Sequence, residues 1–337
     1  MSNEATGTIL IIGASGNMGT MLRSRLAAPG RTLRLFSRSA ASPAAPGESV
    51  EIVTGTVTDL DAVLAASEGV DAVIHLGGIS QEAPFGEILQ TNVAGTFCVL
   101  EAAHRQGVPR VLLASSNHAI GYASRDDAGP DGLPPDHPPR PDSYYGWGKT
   151  AMESLGRLYA DTYGMDVFNL RIGSCFDTPE DARMLATWLS PDDAARLVEA
   201  CLRTDRGGHR LIWGVSRNTR RWWSLAAGEA IGYHPVDDAE AFAEAMIGEF
   251  GEPDPELPVH RLVGGQTCAV PLGARVGQSV AEASGSPKAI AIPNPSMRLP
   301  AAPTTRAVPT IGATATSTAS ACAFVTPTAS AVSRLST

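Results

Sequence analysis

The sequence predicts an α/β fold with a doubly wound parallel sheet, on three observations. Seven short, apolar and β-branched runs are spaced along the first two thirds of the chain. Longer stretches with helical periodicity alternate with them, and the first run leads directly into a glycine-rich turn at Gly13. Alternation of this kind is typical of βαβ units, whose parallel strands are covered by helices on both faces.

The predicted strands are short and mostly apolar, as expected of strands buried on both faces. They are TILIIG, TLRLFS, EIVTG, DAVIHLGG, RVLLASS, DVFNLRIG and HRLIWG. The long amphipathic segments between them are predicted to be helical. They include NMGTMLRSRLAA, EILQTNVAGTFCVLEAAHRQG and YGWGKTAMESLGRLYADTYG.

Composition divides the 337-residue chain near Gly273. Residues 274–337 contain one acidic and five basic residues and are dominated by Ala, Ser, Thr and Pro, without sustained periodicity. Such a segment buries too little apolar surface to offset the entropy lost when it becomes ordered. We therefore predict one folded domain over residues 1–273 and a low-complexity, disordered tail over 274–337.

Charge and cysteine content exclude several classes of function. A formal net charge of −9 argues against a nucleic-acid partner, because such binding needs basic residues that displace counterions. The five cysteines are scattered without a C-x-x-C pair, and the seven histidines show no metal-ligand spacing. The first apolar run has only the length of a strand, so no secretory signal or membrane span is predicted. We expect a cytoplasmic protein without a metal, nucleic-acid or membrane partner.

The turn after the first strand predicts a dinucleotide site. It reads GASGNMG and leads into a helical segment. Glycines there permit a tight turn and close approach of a pyrophosphate, while the helix N-terminus presents free N–H groups. A glycine-rich turn used only for packing is the alternative. We predict a Rossmann-type NAD(P)-binding domain whose candidate cofactor-binding residues here are Gly13, Gly16, Asn17, Met18 and Gly19.

The end of the second strand bears on the choice between NAD and NADP. Enzymes that use NAD place an acidic residue there for the ribose hydroxyls, whereas a nearby arginine accommodates the phosphate of NADP. Here the strand ends Leu35-Phe36-Ser37-Arg38, without an acid. Ser37 and Arg38 therefore favour tolerance of NADP, although an ordinary surface arginine is the alternative.

Two segments carry candidate catalytic residues. Tyr145 and Lys149, four residues apart in a predicted helix, share one helix face, where a cation favours the phenolate. The strand RVLLASS brings Ser116 to the sheet's carboxyl edge, where sites of open α/β sheets gather. Each residue also has a plainer interpretation when taken alone. Tyr145 and Lys149 could be an ordinary pair on a helix surface. Ser116 could simply end its strand, and His118 could be a structural residue. Together with the glycine turn they predict a dehydrogenase-type site.

These motifs resemble those of the extended short-chain dehydrogenase/reductases. Within that group, three segments resemble the uronate dehydrogenases: HLGGIS at 75–80, SSNHAIG at 115–121 and RIGSCFDTPEDARMLATWLS at 171–190. The resemblance extends from about Thr8 to Gly273. It implies a small C-terminal substrate-binding part, mainly within residues 174–273, in place of the larger lobe of nucleotide-sugar epimerases.

The resemblance implies roles for particular residues. Tyr145 resembles the general base, Lys149 its activator and Ser116 the hydroxyl partner. The implied sugar-contacting residues are Ser80, Ser116, Asn117, His118, Ser174 and Arg183. Arg183 is expected to face a carboxylate, and the alternative is a solvated arginine paired with Glu180 or Asp181. Further cofactor contacts are expected at Thr56, Val57, Leu76, Gly77, Gly78 and Asn92, besides Tyr145 and Lys149.

Three positions depart from the family pattern. Ser37 replaces the acid at the end of the second strand, and Thr56 stands where an aspartate near the adenine is expected. Gly148 replaces the serine of the Y-x-x-S-K pattern. The family implies NAD, and the first two departures point towards use of NADP as well.

The resemblance implies oxidation of C1 of a hexuronate, D-glucuronate or D-galacturonate, to the aldarolactone with hydride transfer to NAD(P)+. A homo-oligomer is expected. Two alternatives stay open. One is a related epimerase, dehydratase or reductase acting on another sugar, and the other is a non-catalytic, dinucleotide-sensing regulator on the same fold.

Overall fold

The computed structural model describes residues 7–275, within which seven strands form one parallel sheet in the order β3-β2-β1-β4-β5-β6-β9. The strands are β1 Gly7–Ile12, β2 Arg31–Ser37, β3 Ser49–Thr54, β4 Ala72–His75, β5 Arg110–Ser116, β6 Asp166–Ile172, β7 Ser174–Cys175, β8 Trp188–Leu189 and β9 His209–Gly214. Strands β7 and β8 pair separately. Each predicted strand lies in the large sheet, so the doubly wound fold is confirmed.

Helices connect the strands. They are α1 Asn17–Leu26, α2 Leu60–Ala66, α3 Phe85–Ile88, α4 Gly95–Arg105, α5 Tyr144–Tyr163, α6 Met184–Thr187, α7 Pro191–Arg203, α8 Ala226–Glu229, α9 Ala243–Phe250 and α10 Pro258–Arg261. The helix predicted over 87–107 is divided, because a π-helical turn, Leu89–Ala94, joins α3 to α4. Among residues 7–275, no helix has the length and apolar character needed to cross a membrane.

The two faces of the sheet bury separate apolar layers. Along β1, Ile9 and Ile11 pack on the face covered by α1 and α7, whereas Leu10 and Ile12 pack on the face covered by α2, α4 and α5. Successive side chains of a strand point to opposite faces, so a strand buried on both must be apolar throughout. This accounts for the unbroken run TILII and for its place at the centre of the sheet.

Residues 174–275 complete this fold and do not form a separate lobe. Strand β9 joins the main sheet beside β6, and α7 packs against α1. Of the short elements, α8 contacts β9. Trp213 of β9 stacks on Trp223 with ring centroids 4.3 Å apart. That these residues form the substrate-binding part stays a prediction.

The predicted tail begins two residues before the described part of the chain ends. Ala274 is buried, and Arg275 forms an ion pair with Glu87 at 2.6 Å. These two residues therefore contact the folded domain. The remainder of the predicted tail, residues 276–337, lies outside the described residues, and its disorder stays a prediction.

Candidate active site

The glycine-rich turn lies where the strand order reverses, between β1 and β4, which is where ligands bind in open α/β sheets. Gly13 has a φ of 87°, and a Cβ there would lie 2.6 Å from the backbone nitrogen of Gly77. A Cβ on Gly19 would lie 2.6 Å from the carbonyl oxygen of Gly13. The turn after β1, the loop after β4 and the start of α1 are thus in close contact, which only glycines permit.

A cavity of about 630 Å³ opens beside this turn. The N-terminus of α1 has no side-chain cap, so its first N–H groups are available to an anion. Nine predicted cofactor-binding residues line the cavity: Gly13, Gly16, Ser37, Arg38, Thr56, Val57, Leu76, Gly77 and Gly78. Its volume falls within the usual range of ligand sites, about 300–1,000 Å³. The cradle and the cavity together fit a dinucleotide.

Six predicted cofactor-binding residues do not line this cavity, and two of them, Tyr145 and Lys149, belong to the predicted catalytic set. Asn17 borders a neighbouring cleft and Met18 packs into the apolar core. Gly19 serves the close packing described above. The buried amide of Asn92 accepts from the N–H of Ile79 at 2.8 Å and donates to its carbonyl at 2.9 Å, which fixes the loop after Gly78. Direct contact of these residues with the cofactor stays a prediction.

At the ribose end of the cavity, the Ser37 hydroxyl donates to the Ser39 carbonyl oxygen at 2.7 Å. The Thr56 hydroxyl pairs with Thr58 at 3.1 Å. Arg38 is exposed, and within residues 7–275 no ion pair is recorded for it. This end of the cavity therefore has the Arg38 guanidinium and two hydroxyls that are already hydrogen-bonded, whereas the family pattern has carboxylates at positions 37 and 56.

The predicted catalytic residues meet at the carboxyl end of β5. Ser116 and Tyr145 are both buried. The Ser116 hydroxyl interacts with the Tyr145 phenol and lowers its pKa, and it donates to Oδ1 of Asn117 at 3.2 Å. Lys149 donates from Nζ to the Ala114 carbonyl oxygen at 2.5 Å, and Nζ lies 5.5 Å from the centre of the Tyr145 ring. Tyr145 also packs against Ile79, which lines the cofactor cavity. The structure therefore brings the three residues predicted from sequence together, so that a hydroxyl, a phenol and an ammonium lie beside the dinucleotide cavity.

Burial changes the acidity of both groups in helix α5. It raises the pKa of Tyr145 to about 12, while the Ser116 hydrogen bond lowers it and the charge of Asp142 raises it. Burial lowers the pKa of Lys149 to about 8, opposed by the charge of Glu153. The phenol thus needs further positive charge to act as a base near neutral pH, and the oxidised nicotinamide would supply it.

The predicted sugar-contacting residues spread around this centre. Asn117 donates to the Val263 carbonyl oxygen at 2.8 Å, and the His118 ring lies edge-on to Tyr145 with centroids 5.6 Å apart. Ser174 pairs with Thr187 at 3.0 Å. Ser80 is exposed on the loop after β4.

Arg183 is half-buried and donates to the Val263 carbonyl oxygen, the group that also accepts from Asn117. Within residues 7–275, no ion pair joins Arg183 to Glu180 or Asp181, the alternative weighed from sequence. Burial lowers the pKa of Arg183. Its remaining donors line a cavity of about 300 Å³ with Arg125 and Thr187.

The glycine at position 148 has a packing reason. A Cβ on Gly148 would lie 2.6 Å from Cγ2 of Ile88. Helices α5 and α3 are therefore too close here for the serine of the family pattern.

Sequence reasoning missed two buried carboxylates. Glu82 accepts from the N–H of Tyr145 at 2.9 Å and from the N–H of Gly273 at 2.7 Å. Oδ2 of Asp142 lies within hydrogen-bond distance of Nδ1 of His118, at 2.7 Å. Neither acid forms a sequence motif with the residue that it contacts. The only sign that could have revealed them is a pattern of buried residues around each acid. Within residues 7–275, no three His, Cys, Asp or Glu side chains are grouped to hold a metal ion.

Comparison with known proteins agrees with this geometry. Residues 9–223 match the NAD dependent epimerase/dehydratase family. The chain belongs to this family. Its structure is similar to the crystal structure of uronate dehydrogenase from Agrobacterium tumefaciens, with a TM-score of 0.73 and 40% identity, covering 79% of this chain and 98% of the other. A mutant of that enzyme complexed with NAD gives the same score.

Relatives in this epimerase/dehydratase family include sugar dehydrogenases. The chain is 42% identical to uronate dehydrogenase of Pseudomonas putida over 246 residues, which is 73% of this chain and 90% of the relative. It is 36% identical to an NAD-dependent glucose-6-phosphate dehydrogenase of Haloferax volcanii, over 69% of this chain and 95% of that protein. The family establishes an NAD-dependent enzyme and disfavours the non-catalytic sensor.

Loss of the Ser116 hydroxyl tests the catalytic geometry through pH. Because its hydrogen bond lowers the pKa of Tyr145, Ser116→Ala raises that pKa and shifts the acidic limb of the kcat profile for sugar oxidation to higher pH. We also expect kcat to fall on the order of 10²-fold, as when one donor to a reacting oxygen is lost. Ser115→Ala, whose hydroxyl donates to Glu153 instead, is the matched control. An unmoved limb in Ser116→Ala would contradict the assignment.

Proposed function

We propose that this chain oxidises the anomeric C1 hydroxyl of a hexuronate, D-glucuronate or D-galacturonate, to the aldarolactone. The observation that carries this proposal is the meeting of buried Ser116, Tyr145 and Lys149 at the end of β5, beside a cavity that fits a dinucleotide. The 42% identity to uronate dehydrogenase over 90% of that relative supports the substrate class. A homo-oligomeric state and a cytoplasmic location stay predictions from the sequence.

Each residue of the centre has a task in this reaction. Bound NAD supplies the hydride acceptor, C4 of its nicotinamide. Tyr145 Oη takes the proton of the C1 hydroxyl, and Ser116 Oγ holds the hydroxyl oxygen against it. The Lys149 ammonium stabilises the phenolate that precedes this transfer. The lactone product opens in water to the aldarate.

Turnover assays test this function directly. D-glucuronate and D-galacturonate are compared with D-glucose, D-galactose and glucose 6-phosphate, each with NAD, by formation of NADH. We expect turnover of the uronates, and Tyr145→Phe lowers it by roughly 10²–10⁴-fold while NAD binding is retained. Turnover of only the neutral or phosphorylated sugars would instead place the chain with its other relatives.

Cofactor choice follows from the ribose end of the cavity. Arg38 and the absence of an acid at Ser37 predict usable activity with NADP as well as NAD. Ser37→Asp should lower kcat/KM for NADP at least about tenfold, because a carboxylate repels the 2′-phosphate. Ser39→Asp, which adds the same charge outside the cavity lining, is the control. Rejection of NADP by the unchanged protein, with no response to Ser37→Asp, would show that Arg38 does not read the phosphate.

Arg183 is proposed to read the substrate carboxylate. A planar guanidinium can donate two parallel hydrogen bonds to a carboxylate, and burial strengthens them. Because removing one member of a buried charged pair costs roughly 2–5 kcal/mol, Arg183→Ala should lose well over tenfold in kcat/KM for glucuronate. Arg183→Lys should recover part of this, and activity on neutral hexoses should barely change.

Arg125→Ala is the matched control for Arg183. Arg125 lines the same cavity and donates to the backbone carbonyl of His260, as Arg183 does to that of Val263. If Arg183 only anchors this segment, both variants lose activity alike on charged and neutral sugars. That outcome would refute carboxylate recognition by Arg183.

A further inference from the structure

Asp142 occupies a position built for a carboxylate. Its side chain is fully buried immediately before α5. Within residues 7–275 no arginine or lysine forms an ion pair with it, although burial lowers the pKa of Arg183 and the charge of Asp142 opposes this by raising it. Room for the carboxylate comes from glycines on three segments. A Cβ would lie 2.0 Å from its oxygen at Gly121, 3.0 Å at Gly146 and 1.8 Å at Gly264.

Three polar groups contact this carboxylate. Oδ2 lies 2.7 Å from Nδ1 of His118, and Oδ1 accepts from the Ser143 hydroxyl at 2.7 Å. The Cys268 thiol is 3.8 Å from Oδ2. A carboxylate of this kind only accepts, so its bond to the ring requires that Nδ1 of His118 carry a proton.

The ring nitrogen of His118 on the other side, Nε2, is available to a ligand. The side chain is one-fifth exposed, and within residues 7–275 no partner is recorded for Nε2. The His118 backbone N–H donates to the Ser116 hydroxyl at 3.3 Å, which places the residue next to the reacting oxygen. A neutral imidazole protonated on Nδ1 presents Nε2 as an acceptor.

We propose that Asp142 is a positioning residue, which holds His118 in the Nδ1–H tautomer so that Nε2 accepts a hydrogen bond from a sugar hydroxyl beside C1. The inference rests on the proposed function for the identity of the sugar. The direct effect of the carboxylate on the base is adverse, since its charge raises the pKa of Tyr145. A benefit through His118 gives a reason for a buried acid at this place.

The tautomer of His118 can be measured directly, without an activity assay. Long-range ¹H–¹⁵N correlation spectra of the full chain, assigned through His118→Gln, report which ring nitrogen is protonated. We expect Nδ1–H in the unchanged protein and a shift towards Nε2–H in Asp142→Asn, whose amide can donate to Nδ1. A wild-type His118 protonated on Nε2 overturns the inference, whatever the substrate is.

A double-mutant cycle tests the functional coupling. Asp142→Asn should raise KM for glucuronate by roughly 10–100-fold, the range known for losing a residue that orients a metal-ligating histidine, with KM for NAD unchanged. In a His118→Ala background the same substitution should have little further effect. Cys268→Ala, which touches the same carboxylate oxygen, is the control and should leave KM unchanged.

The outcomes separate structural support from positioning. Ser143 caps α5 and donates to Asp142, so a purely structural role would make losses in the two single variants add and would lower Tm. Additive losses overturn the inference. If no uronate is turned over, the proposed function fails, while the spectra still decide the tautomer. If Asp142→Asn does not fold, the wild-type tautomer alone remains decisive.

Discussion

The burial of one ammonium group, that of Lys149, organises the centre of this protein. Its Nζ bonds to the carbonyl of Ala114 and so joins α5 to the end of β5. An ammonium taken out of water needs such partners, because desolvation disfavours its charged form. The second support is Glu153, one turn along α5, whose carboxylate is held by both nitrogens of the Arg171 fork at 2.9 and 2.8 Å. Lys149 thus ties the helix that carries Tyr145 to the strand that carries Ser116.

Close packing of α5 on the sheet supports that contact. A Cβ on Gly156 would lie 2.9 Å from Cγ1 of Val167, so the helix approaches β6 more closely than a larger residue would allow. The helix begins at the Ser143 cap and ends at Gly164, whose φ is 71°. Tyr145 and Lys149, the proposed base and its proposed activator, are therefore carried on one helix with defined ends, as a preorganised site requires.

Short sequence patterns were sufficient to predict the strands, the glycine-rich turn and the candidate catalytic residues. The strands are apolar because both faces are buried, the glycine turn follows the first of them, and the Tyr145–Lys149 spacing is that of one helix face. Partners distant in sequence carry no such periodic signal. The bond from Asp142 to His118 spans 24 residues and that from Glu82 to Tyr145 spans 63. The division of the predicted helix by a π-helical turn was also hidden, because it depends on where Asn92 meets Ile79.

Segment 262–273 closes over the centre from the far end of the described chain. The Val263 carbonyl accepts from Asn117 and Arg183, and the Gly273 N–H is held by Glu82 beneath Tyr145. During synthesis, a ribosome-bound chain that has emerged only as far as Leu262 would possess every strand of the sheet and all three catalytic side chains. It would lack the carbonyl that aligns Asn117 with Arg183. The contacts that hold Asn117 and Arg183, two of the proposed sugar-binding residues, are therefore completed only when the last residues of the described domain have been synthesised.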